Sequence, residues 1–180
     1  MTVFFGTVLS TTAVIDGTGA GGPETARGKA VTAIRTGISP QIHVNLNPDP
    51  VRPGERLRGR ITVFNPSATP LKGVILTGWV PLEVDDLSNY QGFDEALLSG
   101  DGNCNDLQYT NYCDRDDRMV WSIGVIPAGS SAVVTVPLPV ADTVQSGRLV
   151  TLRAAAVTGG GVQTTNDDTV GVNAAGALTI

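Results

Sequence analysis

Residues 56–64 read Arg-Leu-Arg-Gly-Arg-Ile-Thr-Val-Phe. Arg56, Arg58 and Arg60 alternate with an apolar set, Leu57, Ile61 and Val63, and only an extended strand with one wet and one buried face separates residues spaced in this way. A strand of this kind must pair with others and cover its apolar side. Further strand patterns occur at 41–47 (QIHVNLN), 73–81 (GVILTGWVP), 118–126 (RMVWSIGVI), 131–140 (SAVVTVPLPV), 147–157 (GRLVTLRAAAV) and 168–174 (DTVGVNA). Between them stand the turn signals NPDPVRPGE, NPSATP and IPAGS. No segment longer than a turn repeats apolar residues at helical spacing. Many short strands punctuated by Gly and Pro predict an all-β chain, a sandwich or a barrel.

The 180 residues suffice for one sizeable domain and part of another. Charged residues make up 16% and hydrophobic ones 41%, with 22 Gly and 11 Pro, which is globular rather than disordered composition. A net charge of −5 repels phosphate backbones and anionic lipid, so nucleic acid is not an expected partner. No apolar stretch approaches a membrane span of ~20 residues, so no membrane insertion is expected. The opening MTVFFGTVLSTTAVIDG lacks the basic start of a signal peptide. Either a leader was removed with a precursor, or the protein leaves the cell by lysis, as a virion surface or tail component would.

Gly17, Gly19 and Gly22 have the G-x-G-x-x-G spacing of a dinucleotide loop. That use requires a helix opening at the third glycine, and Pro-Glu-Thr-Ala-Arg-Gly-Lys-Ala follows instead, interrupted by Gly28. The stretch reads as a hairpin loop. A shift of 141 positions places Thr2 on Thr143, Val3 on Val144, Gly6 on Gly147, Ala13 on Ala154, Gly19 on Gly160, Val31 on Val172 and Ala33 on Ala174. Residues 1–38 therefore read as the last hairpin of one repeat and 39–180 as the whole of the next. A two-stranded hairpin is marginal alone. Its apolar positions, Val3, Phe4, Phe5, Val8, Leu9, Val14, Ile15, Val31 and Ile34, would join a sheet edge, on its own domain or on a neighbouring copy.

Cys104 and Cys113 are nine positions apart in a polar segment, GDGNCNDLQYTNYCDRDD. They are either a disulfide, which would indicate an oxidising compartment, or two reduced surface thiols. Around them Asp101, Asn103, Asn105, Asp106, Asp114 and Asp116 offer hard oxygens that a calcium ion would accept, although the closing Glu of a calcium-hand loop is missing. The other reading is a solvated acidic loop, and no other cofactor is implied. Tyr90, Phe93, Tyr109 and Tyr112 lie in the same region, either to stack on a sugar or protein receptor or to pack the loop on its own sheet. The row Arg56, Arg58 and Arg60 would meet an acidic loop of another copy, or serve to keep a strand soluble. Trp79 and Trp121 are assigned to the core or its rim.

Catalytic patterns are weak. His43 sits in a strand pattern with no G-x-S-x-G nucleophile motif in the chain, and Asp85–Asp86 and Asp94–Glu95 are adjacent acids of a polar loop. An enzyme is not expected.

NLNPDPVRPGERLRGRITVFNPSATPLKGVILTGWVP, VWSIGVIPAGSSAVVTVPLPV, GRLVTLRAAAVT and TTNDDTVGV together resemble the conserved extracellular repeat domain of bacterial and archaeal surface proteins, a family of unknown function. Pro53, Gly54 and Asn65, the Trp121-Ser-Ile-Gly block, the turn Pro127-Ala-Gly129 and the closing strand carry the resemblance, over about residues 41–173. It implies an immunoglobulin-like antiparallel β-sandwich, to which residues 1–38 add an extra N-terminal strand pair, extracellular or on the cell surface. It also implies a structural or adhesive role in a fibre, surface layer or adhesin, with tandem or homo-oligomeric neighbours. The chain departs from that family at 83–117, an acidic insertion holding both cysteines. A carbohydrate- or receptor-binding role would sit there.

Overall fold

The structure is a computed structural model and describes residues 7–19, 22–34, 39–84, 93–104 and 112–173. The chain divides into two compact units, Met1–Gly37 and Ile38–Ile180.

The first unit is an antiparallel hairpin of β1 (Thr7–Gly19) and β2 (Gly22–Ile34). Its register runs from Thr7 opposite Ile34 to Gly19 opposite Gly22. Gly17 and Gly19 thus lie on one strand and Gly22 on the next, so their spacing belongs to a hairpin and not to a cofactor loop. Val8, Leu9, Val14 and Ile15 fall on β1, and Val31 and Ile34 on β2. Val3, Phe4 and Phe5 lie outside the described residues.

The second unit is an immunoglobulin-like β-sandwich. Its main strands are β3 (Gln41–Asn47), β4 (Arg56–Phe64), β5 (Leu71–Trp79), β9 (Arg118–Ile126), β10 (Ser131–Pro139), β11 (Leu149–Val157) and β12 (Gln163–Gly171). Between β5 and β9 come the short pieces β6 (Phe93–Asp94), the 3-10 turn η1 (Glu95–Leu97), β7 (Asn103–Cys104) and β8 (Tyr112–Cys113). One sheet has the order β10-β4-β3 and the other β12-β11-β5-β9-β7. The chain crosses between the sheets after β4, returns after β9 and crosses again after β10, the Greek-key connectivity of such sandwiches.

Alternation in β4 builds the core as its sequence dictates. Leu57, Ile61 and Val63 are fully buried and face Leu76, Trp121 and Leu152 of the opposite sheet within one continuous cluster. Gly59 holds the fourth inward position of β4, and a Cβ there would stand 2.6 Å from the Leu152 side chain, so its missing side chain is the space that Leu152 fills. Trp79, by contrast, is half-buried at the rim, with the Arg153 guanidinium 5.4 Å from its ring centre.

Asn65 ends β4 and is wholly buried. Its amide nitrogen donates to the carbonyls of Thr69 (2.8 Å), Ile126 (3.0 Å) and Pro127 (3.1 Å), while its Oδ1 accepts from the backbone N–H (3.0 Å) and hydroxyl (2.7 Å) of Ser67. One side chain thereby closes the turn after β4 and fastens it to the end of β9. Asn65→Ala strands these groups in the interior and is expected to cost about 2 kcal/mol, read as a fall of roughly 6 °C in the circular-dichroism melt.

Candidate functional site

Sheet edges decide what a sandwich can add to itself, because each edge strand offers a row of unpaired N–H and C=O groups. Four edges must be accounted for: β10 and β3 on one sheet, and on the other β12 and β9, the latter covered by the two-residue β7 at one end only.

The cysteine insertion closes the side formed by β10 and β9. β7 pairs with β9, Asn103 opposite Val120 and Cys104 opposite Met119, while β6 pairs with β8. The Cys104–Cys113 disulfide, with Cα atoms 5.3 Å apart, ties β7 to β8. Asp94 caps η1 by accepting from the Ala96 N–H (2.9 Å), and the Glu95 carboxylate accepts from the Cys104 N–H (3.0 Å). Ser99 then joins the insertion to both sheets. Its carbonyl accepts from the Trp121 indole N–H (2.8 Å), its N–H donates to the Thr135 carbonyl (3.2 Å), and its Oγ accepts from the Thr135 N–H (2.7 Å). Gly102 lies so close to the Trp121 indole that no Cβ fits there.

Thr135 therefore turns its backbone outward from β4, and the strand period makes Pro137 and Pro139 do the same. Those two residues have no N–H to offer, so the C-terminal half of β10 is blunted, while Ser131 and Val133 keep theirs. The far half of β9 is interrupted by a bulge, with Gly124 at φ 75°.

On the opposite side, the β3 edge is served by side chains. The Val44 N–H donates to Asn166 Oδ1 (3.3 Å) and the Leu46 N–H to Asp168 Oδ2 (2.7 Å), both from inward-facing positions of β12. β12 itself is guarded only at its end. The Gly171 N–H donates to the Asp49 carboxylate (3.2 Å), its carbonyl accepts from the Val51 N–H (3.0 Å), and the Thr169 N–H donates to Asp168 Oδ1 (2.9 Å). By the same period of two, the backbones of Gln163, Thr165 and Asp167 point away from β11. They have no partner among the described residues.

The acidic residues have local tasks. Asp114 and Asp117 close a turn, with the Asp114 N–H donating to the Asp117 carboxylate (2.7 Å), and this turn is docked by Val80 N–H to Asp117 carbonyl (3.0 Å) and Asp116 N–H to Val80 carbonyl (3.1 Å). Asp101 and Asp116 adopt positive φ, 54° and 67°, which Asp tolerates better than most side chains. Among the described residues no group of three or more His, Cys, Asp or Glu converges as a metal site. Asn103 is drawn into β7; Asn105 and Asp106 lie outside the described residues. Of the aromatic candidates, Phe93 is 4% exposed and belongs to the core, so it is not presented to a ligand. Its burial anchors the insertion. Tyr112 is half-buried on β8, and Tyr90 and Tyr109 lie outside the described residues. Ser99, Asn166 and Asp168, which organise the edges, were not singled out in the sequence, where an isolated Ser or Asn carries no periodic signal.

No family model and no curated protein matches the chain. Solved structures resemble it in fold. A red sea bream transglutaminase is 13% identical, with a TM-score of 0.49 over 92% of this chain and 18% of its own. A putative membrane anchored protein from Corynebacterium diphtheriae is 13% identical, with a TM-score of 0.44 over 94% of this chain and 44% of its own. A cohesin module from a Clostridium perfringens family 33 glycoside hydrolase is 13% identical, with a TM-score of 0.44 over 76% of this chain and 98% of its own. The chain thus spans less than half the length of the first two. These likenesses carry nothing about what the chain does.

Proposed function

We propose that the chain is a non-enzymatic structural module of an extracellular fibre, surface layer or adhesin, assembled by strand addition. The N-terminal hairpin of one copy would extend the β12-β11-β5-β9-β7 sheet of the next. One observation carries the reading: the β12 edge at Gln163, Thr165 and Asp167 has no partner among the described residues, while β3 is capped by side chains, β10 is capped or blunted from Thr135 to Pro139 and the far half of β9 is bulged. The same chain carries two 13-residue strands as a separate two-stranded unit, which is marginal in water until it joins a sheet. Main-chain hydrogen bonding of this kind supplies affinity without a catalytic group. The Cys104–Cys113 disulfide supports an oxidising location. Among the described residues no helix is long and apolar enough to cross a membrane.

Light scattering over roughly 1–100 µM, a range that reveals self-association with dissociation constants up to the micromolar, tests the reading. The full chain is expected to form oligomers that grow with concentration. Residues 38–180, which contain the whole described core, are expected to remain a folded monomer. Thr165→Pro in the full chain removes an outward N–H without touching the β11 ladder and is expected to abolish growth equally. A full chain that stays monomeric throughout overturns the proposal.

A further inference from the structure

The outer face of the β10-β4-β3 sheet carries an unneutralised row of cations. Arg56, Arg58 and Arg60 are exposed on β4 at alternate positions, about 6.7 Å apart along the strand. Beside them on β3 stand Asn47, opposite Arg58, and Asn45, opposite Arg60. On β10 the neighbours are Pro139, Pro137 and Thr135, opposite Arg56, Arg58 and Arg60. None of these neighbours is a carboxylate, and the three arginines form no ion pair among the described residues. By comparison, Arg148 meets Glu83 at 3.0 Å, and Arg153 lies over the Trp79 ring. Like charges set side by side on one face repel, so three together in a chain of net charge −5 form a local positive patch that would attract an anion.

A concavity adjoins the row. Arg56 and Arg58 line a groove with Leu97, Thr135 and Pro137. Leu97, on η1 of the insertion, is 49% exposed, so the groove sets an apolar wall beside two guanidinium groups. Among the described residues no acid lines this groove, and the neighbouring acids of the insertion, Asp94 and Glu95, line a separate concavity with Gly100 and Asp101.

We infer that this groove and the arginine row bind a linear acidic polysaccharide, with carboxylates on Arg56, Arg58 and Arg60 and the apolar face of one sugar against Leu97 and Pro137. The planar guanidinium fork matches a carboxylate in two parallel hydrogen bonds. The flanking amides and hydroxyls of Asn45, Asn47 and Thr135 suit a hydrated, hydroxyl-rich chain. A protein partner would call for a large apolar anchor at the centre of the face, and single-stranded nucleic acid for aromatic stacking platforms; these strand positions offer neither. The inference goes beyond strand addition and does not depend on it.

Calorimetric titration of the full chain with polygalacturonate, with neutral dextran and polyglutamate as controls, tests it. Polygalacturonate is expected to bind, dextran not at all, and the affinity to fall with salt at a slope reporting about three charge contacts. Arg58→Ser is expected to weaken binding by about tenfold, the loss of one charge-assisted bidentate contact. Arg148→Ser, the same change of net charge elsewhere, should leave it nearly unchanged. Leu97→Ser should weaken polygalacturonate binding several-fold and leave polyglutamate as it was. Failure of polygalacturonate to bind, or equal losses in Arg58→Ser and Arg148→Ser, overturns the site. Polyglutamate binding as tightly as polygalacturonate, with no effect of Leu97→Ser, overturns the saccharide. Self-association abolished by Arg58→Ser with no glycan bound reassigns the face to contacts between copies and also overturns it.

Discussion

Trp121→Ala is expected to destabilise the sandwich by about 3–5 kcal/mol, the largest loss from any single substitution in this fold. Trp121 heads the set of fully buried large side chains and stands where β9 meets the opposite sheet. Truncation removes its packing and leaves a cavity that the flanking strands cannot close without losing their register. The indole also carries the hydrogen bond to the Ser99 carbonyl, 2.8 Å long, and Gly102 packs flat against its ring. Losing the ring therefore frees Ser99, which in turn holds Thr135 at the β10 edge. Two substitutions separate these effects. Trp121→Phe keeps most of the volume and gives up the N–H, at an expected cost of about 1–2 kcal/mol. Gly102→Ala leaves the indole in place and obstructs its seat. Urea melts followed by far-ultraviolet circular dichroism measure all three, and a Trp121→Ala midpoint near that of the unaltered chain would remove Trp121 from its central place in the core.

The pattern that locates this core was legible in the sequence wherever apolar residues alternate. The windows at 41–47, 56–64 and 118–126 coincide with β3, β4 and β9, because the buried positions, Gly59 aside, are Val, Leu, Ile, Met or Trp, and the outward ones of β3 and β4 are mostly polar. β12 shows where such reading stops. Alternation alone places a strand at 168–174, and only the resemblance, through TTNDDTVGV, places it from 164; it begins at Gln163, five residues before the alternating stretch. Its first half, Gln-Thr-Thr-Asn-Asp-Asp, offers no apolar residue at the inward positions, since Asn166 and Asp168 face inward to receive the N–H groups of β3. The polar residues that hid the strand are the ones that protect its neighbour.

The insertion was less legible for a related reason. Its acidic residues and aromatics have the composition of a ligand loop, but composition does not distinguish a carboxylate that binds an ion from one that closes a turn. Asp94, Glu95 and Asp117 all accept from backbone N–H groups. Nor does it separate an aromatic on display from Phe93, which is buried. The arginine row, in contrast, followed directly from strand alternation. What the sequence could not reveal is its setting, because Leu97 and Pro137 reach Arg56 and Arg58 only through the folded insertion and the pairing of β10 with β4.

Removing the disulfide is expected to have the second largest effect. Cys104→Ala with Cys113→Ala releases a loop whose ends are nine positions apart, and the entropy of the opened chain corresponds to ~2.7 kcal/mol. A drop of about 8 °C in the melting temperature is expected for a sandwich of this size. The cost is concentrated locally. β6, β7 and β8 are two residues each, too short to hold by their ladders alone, so without the bond the insertion depends on Phe93, Leu98 and the Trp121–Ser99 contact. Amide exchange should accordingly rise at Cys104→Ala and at Thr135, whose N–H is covered by Ser99, before it rises in β4 or β11. Combining the pair with Trp121→Ala should cost less than the sum of the two changes, because each loosens the same segment and the second has less left to release. Strict additivity would instead mean that the disulfide and the indole stabilise separate parts of the sandwich, and that Ser99 is not the point where the insertion is fastened.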